Sequence, residues 1–243
     1  PLYSSAASDV YKRQVKNNEG EWVLLNGNQT ALMFVYYLIT RWKELGKING
    51  KEYIVKTIVT TETIKTIAER NGVEMYDVYT GFKWIANVMR ENEGKKNYIG
   101  GGEESYGFLC EDFVRDKDAV SACVILAEIA AWAKDQGLSL YQLLQKIYVE
   151  YGFSKEKGIS VVKKGKSGAE EIEAMMKKFR ENPLTEIAGS KVTYFYDYST
   201  LKGKDYAENE TVTLDMPTTS NVLQYFTEDN TKVSIRPSGT EPK

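Results

Sequence analysis

The 243 residues carry 34 acidic against 32 basic side chains, a formal charge of −2, so no global positive field marks the chain for nucleic acid or an anionic membrane. There is no histidine, which removes Ser-His-Asp hydrolysis, Cys-His proteolysis and histidine-ligated zinc from the chemistry these residues can perform. Hydrophobic residues at 42% and charged residues at 27% are close to globular averages, and the length suits one large or two ordinary domains.

No run of about 18 apolar residues is present, so no membrane span is expected. The opening PLYSSAASDVYKRQ lacks a basic region followed by an apolar stretch, so it does not read as a secretory signal. Cys110 and Cys123 are too few for a disulfide framework or a four-thiolate metal site and read as reduced thiols of a cytoplasmic protein.

Residues 1–14 are small and polar with no sustained period. Trp22 to Leu25 then reads as a short buried strand, and Asn26-Gly27-Asn28 as a turn. Asn28 or Thr30 is the expected cap of a helix whose Leu32, Val35, Tyr36, Ile39 and Trp42 recur at helical spacing up to Gly46. EYIVKTIVTT is a β-branched strand. TETIKTIAERNG is a helix stopped by Gly72, VEMYDVYTGF a second strand and KWIANVMREN a second helix. KNYIGGG is a third strand running into a glycine loop. This alternation predicts a parallel α/β sheet with its sites at the carboxyl ends of the strands.

A long helix follows, capped by Asp118, with Val120, Cys123, Val124, Ala127 and Ala131 on one face. Ser139 caps the next, where Leu140, Leu143, Leu144, Ile147 and Tyr151 keep the period to Gly152. From Phe153 the character shifts. ISVVKKG is strand-like, SGAEEIEAMMKKFREN is an amphipathic helix opened by Ser167, KVTYFYDYST alternates, and the last stretch is a hairpin turning at Asp229-Asn230. The division is a first domain to residue 152 and a small α+β domain over 153–243.

Four stretches carry chemistry. In RPSGTEPK, Arg236 offers a fork that fits phosphate, while Ser238, Gly239 and Thr240 add hydroxyls and backbone N–H groups, and Lys243 a further charge. A plain turn uses the same residues. In GGGEESYGF, Glu103, Glu104 and Ser105 present acceptors and a donor of the kind that holds sugar diols; a solvated acidic loop or a helix start reads equally well. Lys117, between Asp116 and Asp118, is either a charged cap or a proton shuttle. In YTGFKWI, Thr80 and Gly81 line a substrate loop, or the stretch is a strand-to-helix turn with Phe82 and Trp84 in the core.

Taken together, TGFK, GEESYG followed by RDKDA, and RPSGTEPK resemble the α-D-phosphohexomutase family in order and separation, over about residues 15–243. The resemblance implies a three-layer α/β third domain over 31–152, preceded over 15–30 by the end of a metal-loop domain. An incomplete α+β, TBP-like fourth domain over 153–243 follows. It implies an isomerase that moves a phosphoryl group between the 1- and 6-positions of a hexose, glucose first, through a phosphoserine and a bisphosphorylated sugar such as glucose 1,6-bisphosphate. Glu103 and Ser105 would hold sugar hydroxyls beside Thr80 and Gly81. Arg236, Ser238, Gly239 and Thr240 would clamp the phosphate that is not reacting, and Lys117 would be the acid–base residue. The family's phosphoserine loop and its aspartate-rich magnesium loop are missing. Residues 1–14 match nothing in it and read as a foreign junction. The expectation is therefore an internal fragment, inactive alone, with a phosphosugar as its partner. Mannose- or pentose-phosphate specificity, or a non-catalytic sugar-phosphate module, are the alternatives.

Overall fold

The computed structural model describes residues 14–238, which form two compact units dividing after Glu156. The first begins with an antiparallel hairpin, β1 (Gln14–Lys16) and β2 (Trp22–Leu24). Val15 is in the core, but Trp22 and Leu24 are 64% and 53% exposed, so the expected buried strand is a surface hairpin. Helix α1 (Gly27–Glu44) follows and is buried on all sides from Ala31 to Ile39. Its cap is Asn26. The Gln29 N–H donates to Asn26 Oδ1 at 2.8 Å and the Asn26 N–H to Gln29 Oε1 at 2.9 Å. Neither expected residue caps: the Asn28 side chain accepts the Thr61 N–H, and the Thr30 hydroxyl donates back to the Asn26 carbonyl.

The sheet comprises β3 (Glu52–Thr57), β4 (Glu74–Val78), β5 (Asn97–Gly102) and β6 (Phe108–Cys110) in the order β4-β3-β5-β6. β3 is parallel to β4 and β5, while β6 runs antiparallel to β5. The all-parallel expectation fails at β6 because the turn from Glu103 to Gly107 folds the chain straight back. Tyr106 takes φ 71° there. α2 (Thr63–Arg70), α4 (Ala119–Asp135) and α5 (Leu140–Tyr151) join α1 on one face around Ile54, Ile99 and Phe108. α3 (Phe82–Asn92) covers the other, packing Phe82, Ile85 and Met89 on Tyr53, Val55 and Tyr98. Three layers result, and β3, covered on both faces, is buried at every position.

Two charged residues bracket β3. Glu52 accepts the Asn49, Gly50 and Lys51 N–H groups. Burial pushes its carboxyl up, yet these donors and the Asn97 amide outweigh it and hold it below the ordinary value. Lys56 is 1% exposed, and its ammonium donates to Asp77 at 2.6 Å and Glu62 at 3.0 Å. On α4 the predicted face is the solvent face: Val120 and Val124 are 72% and 63% exposed, and Ala122, Leu126, Ile129 and Ala133 turn inward. Asp118 caps it as expected, accepting the Val120 and Ser121 N–H groups. Ser139 caps α5 with Gln142.

Residues 152–164, which run from the first unit into the second, have no regular structure, and Ile159, Val161 and Val162 are exposed, so the strand expected at ISVVKKG is absent from this segment. β-branched residues favour a strand only where a neighbour offers pairing and packing. α6 (Gly165–Glu181) starts after Lys164, not at Ser167. It lays Met176 and Phe179 on an antiparallel sheet of β8 (Ser190–Asp197), β9 (Lys202–Asp205), β10 (Glu210–Thr213), β11 (Leu223–Thr227) and β12 (Lys232–Ile235), with β7 (Glu186–Ile187) paired to β8. The order is β10-β9-β8-β11-β12. β11 and β12 form the expected hairpin, with Asn230 at φ 64° in its turn.

Candidate functional site

Parallel strands finish at the same edge, so β3, β4 and β5 deliver the segments after Thr57, Val78 and Gly102 to one rim of the first unit. The three glycines are strand, not loop. A β-carbon on Gly101 would stand 2.2 Å from the Val55 carbonyl oxygen, and one on Gly102 would stand 2.4 Å from that of Gly107. Glycine here permits close backbone approach, and the turn begins only at Glu103.

Glu103 is 7% exposed. Its N–H donates to the Gly107 carbonyl at 2.8 Å, and its Oε1 accepts the Gly81 N–H at 2.7 Å. Gly81 has φ 118°, a conformation that side chains rarely adopt, and so aims its amide at the carboxylate. Thr80, half-buried, precedes it. Over Gly107 two groups meet: a β-carbon there would lie 3.1 Å from Glu103 Oε2 and 3.0 Å from Lys117 Cδ. The Lys117 ammonium stands 5.9 Å from the Phe82 ring centre and 3.3 Å from Asp116 Oδ1. Asp116 is well exposed, so that pair is weak and leaves the lysine easily redirected. The Asp118 N–H donates to the Phe108 carbonyl at 3.1 Å, which ties the lysine segment to β6.

Gly81, Glu103 and Lys117, far apart in sequence, thus share one patch. Ser105 is exposed at the tip of the turn. Tyr106 points elsewhere, its hydroxyl donating to the Leu25 carbonyl at 3.2 Å. Cys110 is no nucleophile: burial, then Glu111, Glu128 and Asp118, push its thiol up to about 12. In the second unit Arg236 is exposed and Ser238 half-buried just after β12; Gly239, Thr240 and Lys243 lie outside the described residues. Residues that sequence reading missed are Thr57, Thr60 and Gly27, which contact Glu104. The rule that sites lie at carboxyl strand ends would have flagged the two threonines.

Residues 26–151 match the family model described as "Phosphoglucomutase/phosphomannomutase, alpha/beta/alpha domain III". The chain belongs to this family. A phosphoglucomutase of Staphylococcus aureus (strain bovine RF122 / ET3-1) is 37% identical over 224 residues, covering 92% of this chain and 40% of that protein. One from Staphylococcus haemolyticus is 32% identical over 228 residues, covering 94% and 40%. The chain therefore spans about 40% of the length of the curated relatives it matches. Among solved structures, the open form of the Paramecium phosphoprotein parafusin, a phosphoglucomutase, superposes with a TM-score of 0.55 at 16% identity, over 91% of this chain and 35% of that one. That likeness speaks for the fold, in which a three-layer domain is followed by a β-rich one.

Among the described residues no three His, Cys, Asp or Glu side chains come together to hold a metal ion. The magnesium that the family resemblance implies has no ligand set among them. No helix among the described residues is long and apolar enough to cross a membrane.

Proposed function

We propose that this chain is the sugar-holding and phosphate-clamping part of a phosphoglucomutase-type isomerase, which interconverts hexose 1- and 6-phosphates, glucose first. The observation that carries it is the joint between Glu103 and Gly81, with Lys117 over the same Gly107. A carboxylate whose one oxygen is held by an amide is oriented before ligand arrives, and it can accept sugar hydroxyls without losing its angle.

Glu103 and Ser105 hold the sugar's hydroxyls beside Thr80 and Gly81. A diol looks alike when the sugar is turned end for end, so one pair of side chains serves both orientations of a bisphosphorylated intermediate. Arg236, with Ser238, Gly239 and Thr240, takes the phosphate that is not reacting. Lys117 moves the proton of the hydroxyl that gains or loses the phosphoryl group, and its charge offsets the one developing on the transferred oxygens. The 243 residues contain neither a phosphoserine loop nor an aspartate-rich loop of the kind the resemblance implies. By itself the chain binds and does not turn over.

The test is a calorimetric titration of the chain and of Arg236→Ala with glucose 1,6-bisphosphate, repeated with mannose and ribose analogues. Binding that falls at least roughly tenfold in the variant is expected, since a charged hydrogen bond to phosphate is worth about 1.5–3 kcal/mol. Equal affinity in both proteins removes the phosphate-clamp assignment. A preference for the mannose or ribose compound corrects the sugar, and measurable conversion of glucose 1-phosphate by this chain alone overturns the statement about turnover.

A further inference from the structure

The turn that presents Glu103 and Ser105 is gripped from its inner side through Glu104, which takes no part in the proposed sugar and phosphate contacts. Glu104 Oε2 accepts the Thr57 hydroxyl at 3.1 Å and lies 3.4 Å from the Thr60 hydroxyl. The two threonine oxygens are 2.7 Å apart, and both residues are fully buried. Each hydroxyl has one proton. The short oxygen–oxygen distance and the longer Thr60 contact fit one order: Thr60 donates to Thr57, and Thr57 donates to Glu104. The threonines are themselves locked by the Thr60 N–H, which donates to the Thr57 carbonyl at 2.9 Å where β3 ends.

The backbone of the same residue is pressed from the other side. A β-carbon on Gly27, the first residue of α1, would stand 1.9 Å from the Glu104 carbonyl oxygen. The Tyr106 hydroxyl reaches the Leu25 carbonyl just before that helix. Glu104 is thus fixed through both side chain and main chain, and its neighbours project on the opposite account: Glu103 to Gly81 and Ser105 to solvent.

We propose that Glu104 is a positioning residue: by accepting the Thr57 hydroxyl it sets the angle at which Glu103 meets the Gly81 amide and at which Glu103 and Ser105 are presented to a sugar. Its use in binding rests on the reading of Glu103 and Ser105 as sugar-holding, whereas its effect on the Glu103–Gly81 joint does not.

The experiment uses the full chain and the variants Glu104→Ala, Glu104→Gln, Thr57→Val and Glu103→Gln. Each is followed by the amide proton shift of Gly81 in 15N-resolved NMR and by titration with glucose 1,6-bisphosphate. Glu104→Ala and Thr57→Val are expected to move the Gly81 resonance and to weaken binding about tenfold in the folded protein, the scale of one lost charged hydrogen bond. Glu104→Gln keeps an acceptor oxygen and is expected to stay within about twofold of the parent. Should Glu104→Ala fail to fold, Thr57→Val, which removes only the donor, carries the test. A Gly81 shift and an affinity untouched in Glu104→Ala and Thr57→Val overturn the positioning role. If Glu103→Gln binds as well as the parent, or nothing binds, the sugar-holding reading fails. The Gly81 shift then still decides whether Glu104 sets the joint.

Discussion

The turn after β5 and the segment after β12 both follow the end of a strand, yet they are built on opposite plans. Around Glu103 three groups are tied down: the carboxylate by the Gly81 amide, Glu104 by Thr57, and Tyr106 by the Leu25 carbonyl. After β12, Arg236 stands exposed on a hairpin whose order comes from the turn before it. Neutral hydroxyls are recognised by direction, which must be set in advance at the cost of local crowding. A phosphate is recognised by charge, which tolerates a looser mount. On the proposed reading, the tied-down turn is the one that meets neutral hydroxyls.

The tied-down turn is most easily broken at Gly27. Its β-carbon would meet backbone and not a movable side-chain end, so Gly27→Ala is expected to destabilise the first unit by about 3 kcal/mol, in line with overpacking a tight contact, with the turn after β5 displaced. Thermal unfolding and the Gly81 amide shift check it together. Next comes Asp77→Ala, which leaves the buried Lys56 ammonium with Glu62 alone. A cost of about 2 kcal/mol is expected by chemical denaturation, more than for Lys56→Met, because stranding a buried charge is worse than removing it. Arg236→Ala lies at the other pole: stability unchanged within about 0.5 kcal/mol, as for an exposed side chain, while bisphosphate affinity drops and its salt dependence weakens.

The smallest effect concerns pH. In the β11–β12 turn the Thr227 hydroxyl, then the Thr231 N–H, hold the Asp229 carboxyl at about 2, against 3.8 as its ordinary value. A depressed carboxyl contributes stability that is present above about pH 4 and is lost as pH falls through the folded value. The stability difference between the parent and Asp229→Asn should therefore be constant at neutral pH and shrink between about pH 4 and pH 2. A difference that stays flat to pH 2 shows that the turn before Arg236 is not ordered by this carboxylate.

What the sequence made legible follows from how local each signal is. The strand–helix alternation, the Asp118 and Ser139 caps and the Asp229-Asn230 turn depend on neighbours within a few residues, and all are present. The sequence pattern of α4 points to the wrong side because both Val120/Val124/Ala127 and Ala122/Leu126/Ile129 keep a helical period, and periodicity alone cannot choose between two apolar faces. The polar strands β9 and β10 and the three-residue β6 carry too little pattern to be seen. At the candidate site, residue types and strand-end position single out Gly81, Glu103 and Lys117, and the motif resemblance gives them their roles. The Thr57–Glu104 contact joins residues 47 positions apart, and no local rule reaches it.

The Asp118 amide bonded to the Phe108 carbonyl cinches the neck of an excursion whose residues 111–116 are all exposed. With the neck tied, the length of that excursion is uncoupled from the place of Lys117. The excursion runs down the β6 edge of the sheet, where the Glu111 N–H meets the Ile99 carbonyl and Arg115 pairs with Glu93, so insertions or deletions there change that edge and leave the lysine where it stands.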